Sequence, residues 1–168
     1  YPVDFQIEID LFFENLQTKK FNSYVDDLRA RGLPPNFSAM LYGAPGTGKT
    51  ELVRQLARKY KRTLMMVNLS GLRDKYFGES EKNITRLFRE IRAISSKMKR
   101  APIVLFNEAD GFFHERAAHG RGIDQTETAI VALFFNELET FTGIVFATSN
   151  HTSSMDKAFE RRWTLKLE

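Results

Sequence analysis

The sequence contains no cysteine, and this absence excludes several kinds of protein. A disulfide-stabilised scaffold, a metal site with thiolate ligands and a catalytic thiol all require cysteine. Histidine is scarce as well. Two of the three histidines, His114 and His119, lie near Asp110, but their spacing is a poor metal-binding signature. We therefore expect structural or surface roles for the histidines.

Long hydrophobic runs and a large excess of one charge are also missing. No run approaches the ~18–20 apolar residues that a helix needs to span a bilayer, so no membrane segment is expected. Lys and Arg total 25 against 21 Asp and Glu, which leaves a net charge of +4, and the pI is about 9.4. A basic pI is one signature of nucleic-acid-binding proteins. Because this surplus is mild for 168 residues, nucleic acid is an unfavoured partner.

Short apolar segments alternate along the chain with segments of helical periodicity. The predicted strands cover residues 37–42, 63–69, 102–106, 144–148 and 163–167. The predicted helices cover residues 49–61, 80–98 and part of 125–142, where neither Gly nor Pro interrupts the sequence. Apolar strands that alternate with helices are typical of a parallel sheet covered on both faces. The sequence therefore predicts an α/β fold, a three-layer α/β/α sandwich with a five-stranded parallel sheet. Residues 129–135 are all apolar, so the last helix is expected to be covered on several sides.

The first 36 residues have a different pattern from the rest of the chain. Apolar residues alternate, as is typical of a strand, at Phe5, Ile7, Ile9 and Leu11. Apolar residues at helical spacing follow at Phe21, Tyr24, Val25 and Leu28, and a helix end is indicated by Gly32, Pro34 and Pro35. We expect residues 1–36 to be a lead-in whose helix packs on the core, and residues 37–168 to be the core domain.

Residues 43–50 match the phosphate-loop pattern G-x-x-x-x-G-K-[ST] in full, between a predicted strand and a predicted helix. The glycines permit a tight turn that directs backbone N–H groups at phosphate oxygens, and the helix N-terminus adds a partial positive charge. Lys49 can reach the β- and γ-phosphates, and the Thr50 hydroxyl can ligate Mg²⁺. The predicted nucleotide-binding residues are Ala44, Pro45, Gly46, Thr47, Gly48, Lys49, Thr50 and Glu51.

A second site element follows the apolar residues 103–106. In phosphate-loop ATPases, the acidic residue at such a strand end holds Mg²⁺, and a carboxylate next to it can polarise the attacking water. Here the first position is Asn107, which keeps a carbonyl oxygen for a metal-bound water but lacks the negative charge. We predict that Glu108 is the catalytic base, and that Thr50 and Asn107 are metal residues with weakened Mg²⁺ retention.

Four segments in order along the chain resemble the AAA+ family, and within it the AAA ATPases that unfold or remodel proteins and assemblies. The first two are residues 43–50 and 104–110. Residues 75–83 resemble the segment that carries the family's pore loop. Residues 147–150 and 155–163 resemble its sensor 1 and its second region of homology. The fold that this resemblance implies is a phosphate-loop NTPase, with ATP and Mg²⁺ as cofactors.

The resemblance also implies roles for residues that the phosphate loop does not reach. Asn150 would be sensor 1, which orients the attacking water or contacts the γ-phosphate. Arg161 and Arg162 would be arginine fingers that act on a neighbouring subunit's nucleotide, which implies a ring, expected to be a hexamer. By residue type alone, the two arginines fit better a solvated pair at a helix C-terminus.

A substrate-gripping loop is implied in the same way. Tyr76, Phe77 and Gly78 would form the pore loop, whose flat aromatic rings can grip many protein substrates without sequence demands. The residue types alone also fit an ordinary loop anchor. By the same resemblance, the expected location is cytoplasmic.

The sequence departs from the family's pattern in three respects. Asn107 stands where the family usually has Asp. The chain ends at Glu168, just after the last predicted strand, so the helical lid and its sensor 2 are expected to lie outside it. The family's adenine-side segment is not recognisable in residues 1–20, and the adenine contacts are therefore not assigned.

Two other functions compete with the protein-remodelling ATPase. One is a nucleic-acid translocase, because residues 107–110 superficially match the helicase sequence Asp-Glu-Ala-Asp. A helicase of that type needs a second ATPase-like domain, and the Ala-Thr-Ser-Asn segment at 147–150 suits a sensor 1 instead. The other is a nucleotide-gated scaffold that binds ATP without turnover. Asn107 favours the scaffold, and Glu108 argues against it.

Overall fold

A computed structural model describes residues 3–69, 80–109, 112, 123–150 and 162–167. In these residues the helices are α1 (Val3–Glu14), α2 (Thr18–Ala30), α3 (Lys49–Lys59), α4 (Ser80–Ser96) and α5 (Ile123–Thr140). The strands are β1 (Asn36–Tyr42), β2 (Leu64–Asn68), β3 (Ile103–Asn107), β4 (Gly143–Ser149) and β5 (Leu165–Leu167). Within the described ranges, no helix combines the length and the apolar character needed to cross a membrane.

The five strands form one sheet in the order β2-β3-β4-β1-β5, and every neighbouring pair is parallel. The carboxyl ends of parallel strands meet at one edge of a sheet, so the loop after β1 and the end of β3 lie at the same edge. Because β4 lies between β1 and β3, its carboxyl end separates these two segments. The predicted five-stranded parallel sheet is confirmed.

The core consists of two clusters of buried side chains, one on each face of the sheet. Successive side chains of β1 alternate between them, with Leu41 in one cluster and Met40 in the other. The Leu41 cluster contains residues of α1, α2 and α3, such as Val53 of α3. The Met40 cluster contains residues of α4 and α5, such as Phe88 and Phe134. Helices therefore cover both faces of the sheet, as the predicted three-layer sandwich requires.

The alternating apolar residues near the N-terminus lie in a helix, so the strand-like pattern was misleading there. Residues two apart on a helix lie about 200° apart around its axis, and such neighbours cannot share one buried face. Leu11 is 58% exposed, whereas Phe13 and Leu16 are buried in the core. Phe13 near the end of α1 and Leu16 in the turn after it are the residues of this segment that the fold buries.

The apolar run 129–135 is helical, as predicted, but it is not covered on all sides. Phe134 and Phe135 are buried, whereas Ala129 and Ala132 are exposed. The larger apolar residues of the run are all buried or partly buried against the core, and the two exposed residues are small alanines, which expose little apolar area to water.

The end of α2 follows from the glycine that the sequence singles out. Gly32 has a φ of +68°, and the backbone N–H of the next residue, Leu33, donates to the Leu28 carbonyl over 2.9 Å. The Gly32 N–H donates to Arg29 over 3.0 Å. This pair of bonds is a Schellman motif, which requires a left-handed residue at its centre and so favours glycine.

Candidate active site

The phosphate-loop segment connects β1 to α3 through a turn built on glycine. Gly46 and Gly48 have φ values of +81° and +90°, and Gly48 is the N-cap residue of α3. A Cβ atom added to either glycine would meet no atom within 4 Å, so the backbone conformation and not lack of space requires glycine here. The backbone N–H groups at the start of α3 therefore adjoin the turn, where the helix dipole favours an anion.

The Lys49 ammonium group lies over the turn. It donates to the carbonyl oxygens of Gly43 over 2.7 Å and Ala44 over 2.9 Å, and it is 3.5 Å from the Thr47 hydroxyl. Thr47 in turn donates to the Ala44 carbonyl over 2.9 Å. A positive charge is thus held next to the N-terminus of α3, at the place where phosphate oxygens would need one.

A chain of hydrogen bonds joins the phosphate loop to the ends of β3 and β4. The Thr50 hydroxyl donates to Oδ1 of Asn107 over 2.9 Å, and the Thr148 hydroxyl donates to the same oxygen over 3.0 Å. The backbone N–H of Glu108 donates to Oγ1 of Thr148 over 3.0 Å. The hydroxyl groups on α3 and β4 therefore hold the strand end that carries Asn107 and Glu108.

These residues surround one open cavity of about 360 Å³. Its lining includes nine of the predicted site residues, Pro45, Gly46, Gly48, Lys49, Thr50, Glu51, Asn107, Glu108 and Asn150. Ala44 and Thr47 belong to the same loop but do not line the cavity. The sequence-predicted loop, strand end and sensor position are therefore brought together by the fold.

Two residues that line the cavity were missed from the sequence. Arg54 lies on α3 one turn after Thr50 and is 3.7 Å from the carboxylate of Glu51. Thr148 lies on β4 two residues before Asn150. The helical spacing from Thr50 and the strand spacing from Asn150 would have placed both residues on the faces that carry the predicted ones.

Arg162 lies away from this cavity in the same chain. Its guanidinium pairs with the carboxylate of Glu139 on α5 and lies over the ring of Phe135, 5.5 Å from the ring centroid. It lines a second cavity of about 340 Å³ together with Trp163. Four other predicted site residues, Arg161, Tyr76, Phe77 and Gly78, lie outside the described residues.

The donor set at the first cavity fits a nucleotide with a hard divalent cation. Thr50 donates its only hydroxyl proton to Asn107, so the lone pairs of its oxygen remain for a cation such as Mg²⁺, which prefers oxygen ligands. The glycine turn, the N-terminus of α3 and the Lys49 ammonium supply the N–H donors that phosphate oxygens require.

Comparison with known proteins agrees with this geometry. Residues 39–168 match the sequence profile of the ATPase family associated with various cellular activities (AAA). The chain is 32% identical over 143 residues to human ATPase family gene 2 protein homolog B, and this alignment covers 82% of this chain and 18% of that protein. It is 32% identical over 143 residues to the mitochondrial sorting homolog of Caenorhabditis elegans, with 81% and 39% covered. It is 33% identical over 135 residues to the 26S proteasome regulatory subunit 7 homolog of Schizosaccharomyces pombe, with 77% and 30% covered.

The chain thus spans well under half the length of these relatives. Its match to the family, in contrast, extends over most of its own residues and includes the phosphate loop and both strand ends at the cavity. On this evidence the chain belongs to the AAA family of ATPases, enzymes that hydrolyse ATP with Mg²⁺ as cofactor.

Proposed function

We propose that this domain couples ATP hydrolysis within a ring to the remodelling or unfolding of protein substrates. The observation that carries the proposal is the single cavity in which the phosphate loop, Asn107, Glu108 and Asn150 meet. A base, a metal-facing hydroxyl and a phosphate-binding turn around one cavity are the parts that phosphoryl transfer to water requires.

In the proposed mechanism, the residues of this chain bind ATP, orient the attacking water and deprotonate it. Lys49 exchanges its bonds to the loop carbonyls for bonds to the β- and γ-phosphates of ATP. Glu108 is the catalytic base that orients and deprotonates the attacking water, and Asn150 holds that water or a γ-phosphate oxygen. Thr50 would hold Mg²⁺, with Asn107 as the hydrogen-bond partner of Thr50, and the bound cation would neutralise charge on the phosphates of ATP.

The ring is the second part of the proposal. Arg161 and Arg162 act in trans as arginine fingers on the nucleotide of the neighbouring subunit, most simply in a hexamer, and Tyr76, Phe77 and Gly78 form the pore loop that grips the substrate. Support comes from the sequence resemblance and from a relative whose name describes a proteasome regulatory subunit. For Arg162 this role requires that the pair with Glu139 opens when the ring forms.

The domain division and the location are proposals of the same kind. We take residues 37–168 as the ATPase core and residues 1–36 as a lead-in. The burial of Phe21 and Val25 of α2 against the sheet supports a lead-in that packs on the core. A cytoplasmic location stays a prediction, since the relatives' names include both a proteasome subunit and a mitochondrial sorting protein.

One measurement tests the function against its two rivals. ATP hydrolysis by the complete protein is measured alone, with single-stranded DNA or RNA, and with an unfolded protein such as reduced casein. The proposal expects turnover that rises with protein concentration and with the unfolded protein. Stimulation by nucleic acid alone would favour a translocase, and ATP binding without turnover at any protein concentration would favour a nucleotide-gated scaffold.

The action of Arg161 in trans has a complementation test. Arg161→Ala and Glu108→Gln are each expected to lack turnover, because every subunit of the ring then lacks either the Arg161 finger or the Glu108 base. In a mixture, an Arg161→Ala subunit beside a Glu108→Gln subunit has its own base and its neighbour's finger. Mixed rings should therefore regain part of the activity, since a finger in trans contributes about 10³–10⁵ in rate. A mixture as inactive as its components would contradict the proposed trans role.

A further inference from the structure

The side chain of Thr148 connects the two residues at the end of β3. Thr148 is buried on β4, with 3% of its surface exposed, in the strand that lies between β1 and β3. Its hydroxyl oxygen accepts from the backbone N–H of Glu108 over 3.0 Å, and its hydroxyl group donates to Oδ1 of Asn107 over 3.0 Å. One buried side chain therefore contacts both the side chain of Asn107, a predicted metal residue, and the backbone of Glu108, the predicted base.

The directions of these hydrogen bonds are determined by chemistry. A backbone N–H can only donate, so the Thr148 oxygen accepts from Glu108. The single hydroxyl hydrogen of Thr148 is then available to donate to Asn107. Oδ1 of Asn107 also accepts from the Thr50 hydroxyl over 2.9 Å, and these two bonds use both of its lone pairs. Asn107 therefore has only its amide N–H₂ donors left for further bonds. Its oxygen would affect a bound metal indirectly, by orienting the Thr50 hydroxyl.

The backbone at Glu108 needs support of its own. Its φ of +54° lies in the left-handed region, which is unfavourable for a residue with a Cβ atom. Two bonds to Thr148 hold this turn: the Glu108 N–H reaches the Thr148 hydroxyl, and the N–H of Ala109 reaches the Thr148 carbonyl over 2.8 Å. The direction in which the Glu108 carboxylate leaves the strand follows from this backbone conformation.

We infer that Thr148 is a positioning residue for ATP hydrolysis, whose hydroxyl holds the Asn107 carboxamide and the Glu108 backbone in the geometry that catalysis uses. The inference rests on the proposed function, because it assigns Thr148 a role through Asn107 and Glu108. Loss of the hydroxyl is expected to lower kcat and to leave the KM for ATP nearly unchanged, since Lys49 and the glycine turn bind the phosphates without Thr148.

The kinetic test compares two substitutions that differ in the hydroxyl. Thr148→Val keeps the branched shape and removes the hydroxyl, whereas Thr148→Ser keeps the hydroxyl and removes a methyl group. Loss of a group that orients a metal-site residue typically costs about 10–100-fold in activity, and we expect a loss of kcat in this range for Thr148→Val. Thr148→Ser should recover most of it. The matched control is Thr63→Val, an exposed position immediately before β2, at the opposite edge of the sheet.

A second readout needs neither nucleotide nor turnover. Amide hydrogen exchange, followed by NMR in the nucleotide-free chain, reports the two bonds to Thr148 separately. In Thr148→Val the Glu108 amide should lose protection, because its acceptor is gone. The Ala109 amide should keep its protection, because its acceptor is the backbone carbonyl of residue 148. Thr148→Ser should protect both amides.

The outcomes separate this inference from the proposed function. A wild-type protein without turnover would refute the proposed function and the positioning role of Thr148 in hydrolysis with it. A wild-type protein with turnover, together with a Thr148→Val variant of equal kcat or with an equally protected Glu108 amide, would refute the inference about Thr148 alone. Equal losses in Thr148→Val and Thr148→Ser would also refute it, because the methyl group and not the hydroxyl would then matter.

Discussion

The Thr50 hydroxyl donates to Oδ1 of Asn107 over 2.9 Å, and this bond connects the first turn of α3 to the end of β3. The two residues are 57 positions apart in the sequence. The bond turns the lone pairs of the Thr50 oxygen away from Asn107, and it holds a neutral amide beside the residue that would ligate the cation. The strength of metal binding at this site therefore depends on Thr50 and Asn107 together.

Asn107→Asp is expected to strengthen Mg²⁺ binding. A carboxylate has about four lone-pair sites, so it can accept from Thr50 and Thr148 and still accept from a metal-bound water. It also restores a negative charge beside the cation. The Mg²⁺ concentration that gives half-maximal ATP hydrolysis should fall about 10–100-fold. An unchanged Mg²⁺ dependence would show that the neutral amide does not weaken metal retention.

Glu108→Gln is expected to bind ATP without hydrolysing it. The substitution keeps the size of the side chain and removes its ability to take a proton from water, and the loss of a general base typically costs about 10²–10⁴ in rate. Turnover is measured as phosphate release and binding by calorimetry. Glu90→Gln, an exposed position on α4, is the matched control and should hydrolyse ATP like the wild type. Full turnover by Glu108→Gln would assign the base to another residue.

Lys49→Ala is expected to weaken ATP binding about 10–100-fold. A hydrogen bond that involves a charged group contributes about 1.5–3 kcal/mol, and Lys49 is the ammonium group at the phosphate turn. ATP affinity is measured by calorimetric titration. Lys82→Ala, exposed on α4, has the same change in charge and should bind ATP normally. An equal loss of affinity in both variants would mean that long-range charge and not contact sets the binding, and wild-type affinity in Lys49→Ala would refute the contact.

Arg62→Met is expected to lower the free energy of unfolding by about 1–3 kcal/mol. Arg62 is buried and donates to the carbonyl of Leu16 over 2.6 Å and to that of Ala101 over 2.7 Å. Burial, and secondarily the charge of Arg100, lowers the pKa of the Arg62 guanidinium, which shows that its charge is costly to bury. Methionine removes that cost but leaves two carbonyl groups without this donor.

The unfolding free energy is measured by urea titration. Arg58→Met is the control, because Arg58 is exposed at the end of α3. If Arg62→Met unfolds at the same urea concentration as the wild type, the two carbonyl bonds contribute no more than the burial of the charge costs.

Much of the fold follows from local patterns in the sequence. The apolar strands, the helix over 80–96 and the helix after residue 123 lie close to their predicted positions, because period and length are local properties of the chain. The alternation at residues 5–11 did not predict the structure there, because four apolar residues are too few to separate a strand from a helix. Burial of Phe13, and not of Leu11, decides the structure there.

The candidate site divides in the same way between local and non-local information. The residues of the phosphate loop are contiguous, and the requirement for glycine at positive φ is a property of that segment alone. Arg54 and Thr148 were missed because their role depends on which residues lie across from them. Only the strand order, with β4 between β1 and β3, brings Thr148 between Asn107 and the backbone of Glu108.

The sequence by itself determined the chemistry that is available: a turn that can bind phosphate, an amide where a carboxylate is usual, and a base beside it. These are consequences of residue type and spacing, which need no neighbours to be recognised. The tertiary structure alone decided how the amide is used, because its oxygen accepts hydrogen bonds from hydroxyl groups on α3 and β4. A hydrogen bond between distant segments forms only when the donor–acceptor distance is correct to within about a few tenths of an ångström. Only the packed sheet sets that distance.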